Sequence, residues 1–337
     1  MTTYSYKTEG NPIKLIPNGD GTYSISTAIN NSLFPDKITV EEIKSVENLN
    51  KKAYLTQEPS LLTIPTPDGT GSATHPSVLR FRTKWNGYTW WMAFTPYAST
   101  AEENPCIVAS NDGVTWVVPT GLTNPVFGAP SVGYNSDTDL IYLKNGDKLR
   151  MYFREYTAES KKIWHSESTD GVNWSAKVLC IFPEDFTDAI SPSIIYTDKY
   201  YMYVGSPLAY YESVDGINWS NYTLCNTGIE KFGDVWHPMV WADATKLRMV
   251  ACVRKKGVNV TSRSSQEDEL YYGESVDGVN WEIETNALLR REPGKNFDER
   301  VYRASVVPYG SELTIMLSGL TTNLSERIGY SKMRLNT

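Results

Sequence analysis

Ser213-Val-Asp215-Gly216-Ile-Asn-Trp219 is one of four near-copies of a single heptapeptide in this chain. The others are Ser110-Asn-Asp112-Gly113-Val-Thr-Trp116, Ser168-Thr-Asp170-Gly171-Val-Asn-Trp174 and Ser275-Val-Asp277-Gly278-Val-Asn-Trp281. Asp-Gly supplies the positive φ that a tight strand-to-strand corner needs, while the Ser and Asp side chains bond local backbone donors and the Trp covers the turn. Copies spaced at some tens of residues, with strand-like flanks, indicate propeller blades or an array. A single active site has no use for four copies, so these aspartates read as structural.

Upstream of each corner lies an extended segment that opens a blade. His75-Pro-Ser-Val-Leu-Arg-Phe81, Asp137-Thr-Asp-Leu-Ile-Tyr-Leu143, Ser191-Pro-Ser-Ile-Ile-Tyr196, His237-Pro-Met-Val-Trp241 and Arg303-Ala-Ser-Val-Val307 make five units. In blade two, Ala129-Pro-Ser-Val132 offers a rival register that would displace Asp137 and Asp139 from the series. Each opening is followed by an aromatic-rich second strand, such as Tyr88-Thr-Trp-Trp-Met-Ala-Phe94. The pattern predicts an all-β, five-bladed propeller over residues 71–337, with blades at about 71–130, 131–185, 186–230, 231–295 and 296–337. Residues 1–70 form an N-terminal segment of one strand and one helix. The fifth unit lacks a fourth strand, and Gly21–Ile29 is expected to supply it. Thr39-Val-Glu-Glu42 reads as a capping box for the one helix.

Composition agrees with a globular chain: 337 residues, 40% hydrophobic, with 22 Tyr and 10 Trp. The net charge of −7 and the lack of basic runs point away from nucleic acid and anionic membranes, and toward neutral partners. Neither a secretion signal nor a membrane span is legible. Cys106, Cys180, Cys225 and Cys252 have no CxxC spacing and read as buried thiols.

In a propeller the first strands run beside the axis, so His75, Asp137, Ser191, His237 and Arg303 converge at one end of the channel. Ser77, Asp139, Ser193, Met239 and Ser305 follow on the same strand face. Such a ring either plugs the channel or forms a site. Asp137, Glu155, His75 and His237 are the candidate catalytic groups. Asp139, Arg154, Ser191, Trp236, Arg303, Tyr97 and Asp188 are candidate ligand contacts, because aromatics beside carboxylates and arginines suit sugars. No cofactor is required, although an axial calcium between His75, Asp137 and His237 is conceivable.

On its five openings and Ser-x-Asp-Gly-x-x-Trp corners the chain resembles the five-bladed propeller glycoside hydrolases of families 43, 32, 62 and 117, over about residues 70–337. His75-Pro-Ser-Val, Thr95-Pro-Tyr97, Glu103-Asn-Pro105 and Tyr134-Asn-Ser-Asp-Thr-Asp-Leu140 are similar to a subset in phages and Gram-positive bacteria. Pro12-Ile-Lys-Leu-Ile and Asn18-Gly-Asp-Gly-Thr-Tyr-Ser24 resemble segments of phage structural proteins. The family-43 resemblance would imply a base Asp opening blade one, a supporting Asp in blade two and an acid Glu opening blade three. The matching positions are His75, Asp137 and Ser191, so at most the supporting Asp is kept. Glycoside cleavage normally takes two carboxyl groups. A rearranged set would pair Asp137 with Glu155, or with His75 or His237 as acid, the latter resembling family 117.

The expectation from sequence is therefore a carbohydrate-recognising propeller in a virion or prophage setting, binding a bacterial surface glycan or teichoic acid at its axial pocket, with other virion proteins as further partners. The alternative is a glycoside hydrolase with a rearranged catalytic set.

Overall fold

The computed structural model describes residues 51–98, 103–183, 190–243, 245–258, 266–308, 313–323 and 325–336, together with four strands nearer the N-terminus. Those four, β1 (Tyr4–Thr8), β2 (Asn11–Pro17), β3 (Thr22–Ser26) and β4 (Lys37–Thr39), form a sheet of their own in sequence order. The capping box after Thr39 lies outside the described residues, among which there is no helix.

The rest is an all-β five-bladed propeller. Blade one comprises β7 (Ala73–Trp85), β8 (Tyr88–Pro96), β9 (Cys106–Ser110) and β10 (Trp116–Val117). Blade two comprises β11 (Tyr134–Leu143), β12 (Lys148–Tyr156), β13 (Lys161–Ser168) and β14 (Val178–Leu179). Blade three is β15 (Ile190–Tyr196), β16 (Tyr200–Gly205), β17 (Ala209–Ser213) and β18 (Ser220–Leu224), and blade four is β19 (Gly233–Ala242), β20 (Leu247–Lys255), β21 (Asp268–Ser275) and β22 (Glu282–Ile283). Blade five has β23 (Arg300–Val307), β24 (Leu313–Leu320) and β25 (Glu326–Leu335).

Gly21–Ile29 does not close the ring: β3 is committed to β2 and β4. The outer place in blade five is taken by β5 (Ala53–Leu55), and β6 (Ser60–Leu61) pairs with β25. The Leu62 N–H, bonded to the Ile328 carbonyl, extends that pairing. Leu62 and Ile64 then enter a core with Phe94, Met316 and Ile328. Burial of this second, short apolar run favours it over the earlier, longer strand.

The blades pack face to face through apolar clusters. Trp91, Ile107, Leu149, Met151 and Phe153 fill the space between blades one and two, and Tyr203, Val235, Met249, Ala251 and Val253 that between three and four. All four cysteines are buried and unpaired, as expected.

The corners work as read. Asp112 Oδ1 accepts the Val114 and Thr115 N–H groups at 2.8 and 2.7 Å, Ser110 Oγ accepts from Gly113 N–H at 2.9 Å, and Trp116 Nε1 donates to the Gly113 carbonyl at 3.2 Å. The corners of blades two, three and four do a second job that single motifs do not disclose: they latch onto the preceding blade. Tyr152 of blade two donates to the Gly216 carbonyl at 2.8 Å, and Tyr203 of blade three to that of Gly278 at 3.2 Å. Gly171 lies so close over Trp91 of blade one that a Cβ would stand 2.1 Å from its ring.

Near the axis every first strand carries a one-residue bulge at its start, between Thr74/Ser77, Ser136/Asp139, Ile190/Ser193, Val235/His237 and Val301/Ala304. His75, Asp137 and Ser191 have φ of 54°, 55° and 55°, the left-handed region, at equivalent points. This settles blade two in favour of the Asp137 register; Ala129–Val132 lies in the loop before β11.

Two residues on, the side chains tie blade to blade. Ser77 Oγ accepts Leu140 N–H at 2.8 Å, Asp139 Oδ2 accepts Ile194 N–H at 2.8 Å, Ser193 Oγ accepts Val240 N–H and Ser305 Oγ accepts Val78 N–H, both at 3.0 Å. Met239 holds the corresponding place in blade four. Two residues further, Leu79, Ile141, Ile195, Trp241 and Val307 are all apolar and help line a cavity of about 420 Å³ at the far end of the channel.

Gly171→Ala is expected to cost about 2–5 kcal/mol in denaturant unfolding, since it combines a left-handed φ of 75° with overpacking against Trp91. Backbone hydrogen bonds from Thr115 and Val114 lower the Asp112 pKa from 3.8 to about 2. That contribution is complete above about pH 4 and is lost as pH falls toward 2. Wild-type melting temperature should therefore drop between pH 4 and 2, and by less in Asp112→Asn.

Candidate functional site

Layer one of the axis converges on Asp137. Its Oδ1 lies 3.3 Å from His75 Nε2, 3.7 Å from His237 Nδ1 and 3.9 Å from Arg303 Nη1, while Oδ2 lies 3.8 Å from Arg154 Nη1. His75, Asp137, His237 and Arg303 are all at least 97% buried. The bulges explain the convergence, because the extra residue at each strand start re-aims the side chain toward the axis.

Each imidazole is held from behind. Thr95 Oγ1 lies 2.9 Å from His75 Nδ1, and Ser191 Oγ is hydrogen-bonded to His237 Nδ1. Burial, reinforced by Arg303, Arg300 and Arg154, lowers the His75 pKa to about 4 against the opposing pull of Asp137. Burial, reinforced by the Arg303, Arg254 and Arg300 guanidiniums, holds His237 well below its ordinary value. Both rings are thus neutral at pH 7. Burial would raise the Asp137 carboxyl, but His75, Arg154 and Arg303 together hold it below its ordinary value.

One ligand atom from each of His75, Asp137 and His237 falls within 4.8 Å of the others, a grouping able to hold a metal ion. The polar atoms fit that use. Asp137 Oδ1 and His237 Nε2 are buried without a hydrogen-bond partner, and neutral imidazoles with an ionised carboxylate are the donor forms a divalent ion takes.

Tyr302 is the residue that sequence inspection missed. Its ring stands 4.3 Å from that of His237 and 5.8 Å from that of His75. Burial holds its phenol well above the usual range, so it keeps its proton. Tyr302 precedes Arg303 within the blade-five bulge, and nothing in sequence spacing indicates that both neighbours would reach the axis. Trp236 borders His237, its ring centroid 6.1 Å away. The guanidinium carbons of Arg254 and Arg300 lie 3.8 and 4.2 Å from the ring centroids of Trp236 and Tyr302, which makes these walls rigid. On the blade-two side Arg154 covers Tyr156, itself stacked on Tyr134.

Several expected site residues have other work. Glu155 is paired with Lys177 at 2.8 Å; on β12 it alternates with Arg154 and so faces away from Asp137. Asp139 lies beneath the site with Oδ1 accepting from Ser77 at 2.9 Å and Oδ2 from Ile194, which removes it as a ligand contact. Ser191 orients His237, and Arg303 is buried between Asp137 and Asp139 with Nη2 donating to the Pro192 carbonyl at 3.2 Å. Tyr97 follows β8, its N–H bonded to the Ser72 carbonyl. Asp188 lies outside the described residues.

No protein-family model matches the chain. It is 28% identical over 290 residues to the A type blood N-acetyl-alpha-D-galactosamine deacetylase of Flavonifractor plautii, covering 69% of this chain and 37% of that protein. The chain therefore spans little more than a third of that relative's length. Among solved structures, an N-acetylgalactosamine deacetylase from F. plautii in complex with blood group B trisaccharide superposes with a TM-score of 0.71 at 23% identity, over 84% of this chain and 95% of that one. A thermostable family-43 glycoside hydrolase gives 0.61 at 13% identity over 84% and 96%, and an exo-1,5-alpha-L-arabinanase from a bovine ruminal metagenomic library 0.58 at 12% over 79% and 94%. The fold is thus the five-bladed propeller seen in family-43 glycoside hydrolases, and proteins similar to this chain act on or bind carbohydrate.

Asp139→Ala strips a buried carboxylate from Arg303 and from the Ile194 N–H. It is expected to cost about 3–5 kcal/mol in denaturant unfolding, against about 1–3 kcal/mol for Ser77→Ala, which leaves the Leu140 N–H unpaired.

Proposed function

We propose that this propeller is a carbohydrate-acting hydrolase whose axial cluster removes an acyl group from a sugar, the substrate class being an N-acetylated amino sugar within a glycan. The observation that carries this reading is the set of two neutral, buried imidazoles and one carboxylate within 4.8 Å, a grouping that includes no second carboxylate among the described residues. Asp139 and Glu155 are engaged elsewhere, so neither pairs with Asp137 as the two carboxyl groups that glycoside cleavage normally takes. The likeness to a deacetylase at 28% identity supports the same reading.

His75, Asp137 and His237 would hold a divalent ion. Nitrogen-rich donors of this kind suit a first-row transition ion better than calcium, which takes six to eight oxygen ligands. When bound, such an ion supplies Lewis acidity toward an acyl oxygen and toward water. The chain's own groups do the rest. Thr95 and Ser191 fix the two rings, as outer-shell partners of ligating histidines do. Arg154 and Arg303 keep Asp137 ionised. Tyr302, with its proton retained, is a donor at the edge of the cluster, and Trp236 offers a rigid ring for the apolar face of a sugar. The reaction would consume water and an N-acetyl sugar and yield acetate and the free amine.

Glycosidic cleavage is the second reading, favoured by the likeness to family-43 enzymes. The virion or prophage setting, and a bacterial surface polymer as the natural glycan, belong to the proposal on the strength of the sequence resemblances around His75, Tyr97, Glu103 and Tyr134 and, more weakly, of the N-terminal segments.

Incubation of metal-supplemented protein with N-acetylated oligosaccharides, assayed for acetate and for reducing ends, separates these readings. Acetate release is expected, reduced at least about 10³-fold in Asp137→Ala and His237→Ala and retained in Glu155→Gln. New reducing ends without acetate would establish the glycosidase instead, and glycan binding without either product would leave a lectin-like role.

A further inference from the structure

Blade five carries a second cavity, of about 230 Å³, walled by Asn296, Asp298, Thr321 and Thr322, with Leu61 as an apolar side and Lys295 and Arg327 at its rim. It opens at the same end of the propeller as the axial cluster. Asp298 stands two residues before β23, whose first residues Arg300 to Arg303 flank that cluster, and Thr321 directly follows β24. Second strands end at the axial mouth in other blades too, where β12 contributes Arg154 and β20 contributes Arg254.

The chemistry of the cavity selects its ligand. Thr322 donates its hydroxyl to Asp298 Oδ2, which as a carboxylate oxygen can accept a second donor, while Oδ1 is buried with no donor among the described residues. A half-satisfied carboxylate calls for a hydroxyl or amide N–H from outside. Both cations already have partners: Lys295 Nζ is 3.5 Å from Glu58, and Arg327 Nη1 donates to the Thr70 carbonyl at 2.8 Å. These contacts offset part of the positive charge beside the cavity. A volume below the roughly 300–1,000 Å³ of drug-sized pockets suits one small ring. Leu61, 42% exposed, provides the single apolar surface against which its C–H face can lie.

We infer that the blade-five cavity is a saccharide subsite for a neutral, hydroxyl-bearing unit of the glycan whose reacting unit sits at the axis, with Asp298 as its hydrogen-bond acceptor. The inference rests on the carbohydrate reading of the axial cluster but is tested apart from it. Substrate longer than one sugar would gain affinity from blade five, and a monosaccharide would not.

Isothermal titration of wild type, Asp298→Ala and Thr322→Val with an N-acetylhexosamine tetrasaccharide and with N-acetylgalactosamine tests this. Loss of a hydrogen bond to a charged group should weaken the tetrasaccharide about tenfold or more in Asp298→Ala, and less in Thr322→Val. N-acetylgalactosamine affinity should be unchanged in both. In an Asp137→Asn background, which disables the axial cluster, tetrasaccharide binding should persist and disappear on adding Asp298→Ala, so blade five is read even if the axial chemistry is misassigned. Should Asp298→Ala lower the melting temperature, Asp298→Asn and Thr322→Val carry the comparison. Tetrasaccharide affinity unmoved by these substitutions, or absent in the Asp137→Asn background, overturns the inference.

Discussion

Ser77, Asp139, Ser193 and Ser305 each take a backbone N–H from the first strand of the next blade. Those N–H groups sit beside the axis, away from solvent, where an unpaired donor costs about 1–3 kcal/mol. Closing the ring therefore demands an acceptor at the same height in successive blades. Small hydroxyls meet that demand in blades one, three and five, and a carboxylate in blade two. Met239 offers only a thioether at that height.

The charge on Asp139 has consequences above it. A buried carboxylate needs a cation, and Arg303 lies between Asp139 below and Asp137 above, at 3.9 Å from each. One guanidinium thus links the layer that closes the ring to the layer that holds the His75–Asp137–His237 cluster. The left-handed φ at His75, Asp137 and Ser191 belongs to the same economy of space: a bulge lets the upper residues turn inward while the lower ones keep the register that the inter-blade bonds require.

Much of the site was legible in the sequence because a propeller converts a repeat into a ring. Aligning five strand openings put His75, Asp137, Ser191, His237 and Arg303 in one column, and the ring contacts made by Asp137 follow from that column alone. Tyr302 was not legible, because the bulge brings two consecutive residues to the axis where simple alternation allows one. Glu155 was misjudged for the opposite reason: proximity along β12 hid the alternation that turns it toward Lys177. The ring closure was likewise misplaced, since strand propensity in Thr22–Ser26 says nothing of which strand has an apolar partner waiting on β25.

Sequence by itself determined the blade count, the corners and the axial column, since each depends on short-range patterns: Asp-Gly turns, alternation and repetition. Tertiary structure alone decided which carboxylate is structural and which is available, which segment completes blade five, and that the corners of blades two, three and four also grip the preceding blade. Those outcomes depend on distances between residues some 60 or more positions apart, as with Trp85 and Asp147 or Ser77 and Asp139. Burial sets their energies, and burial exists only once the ring is closed.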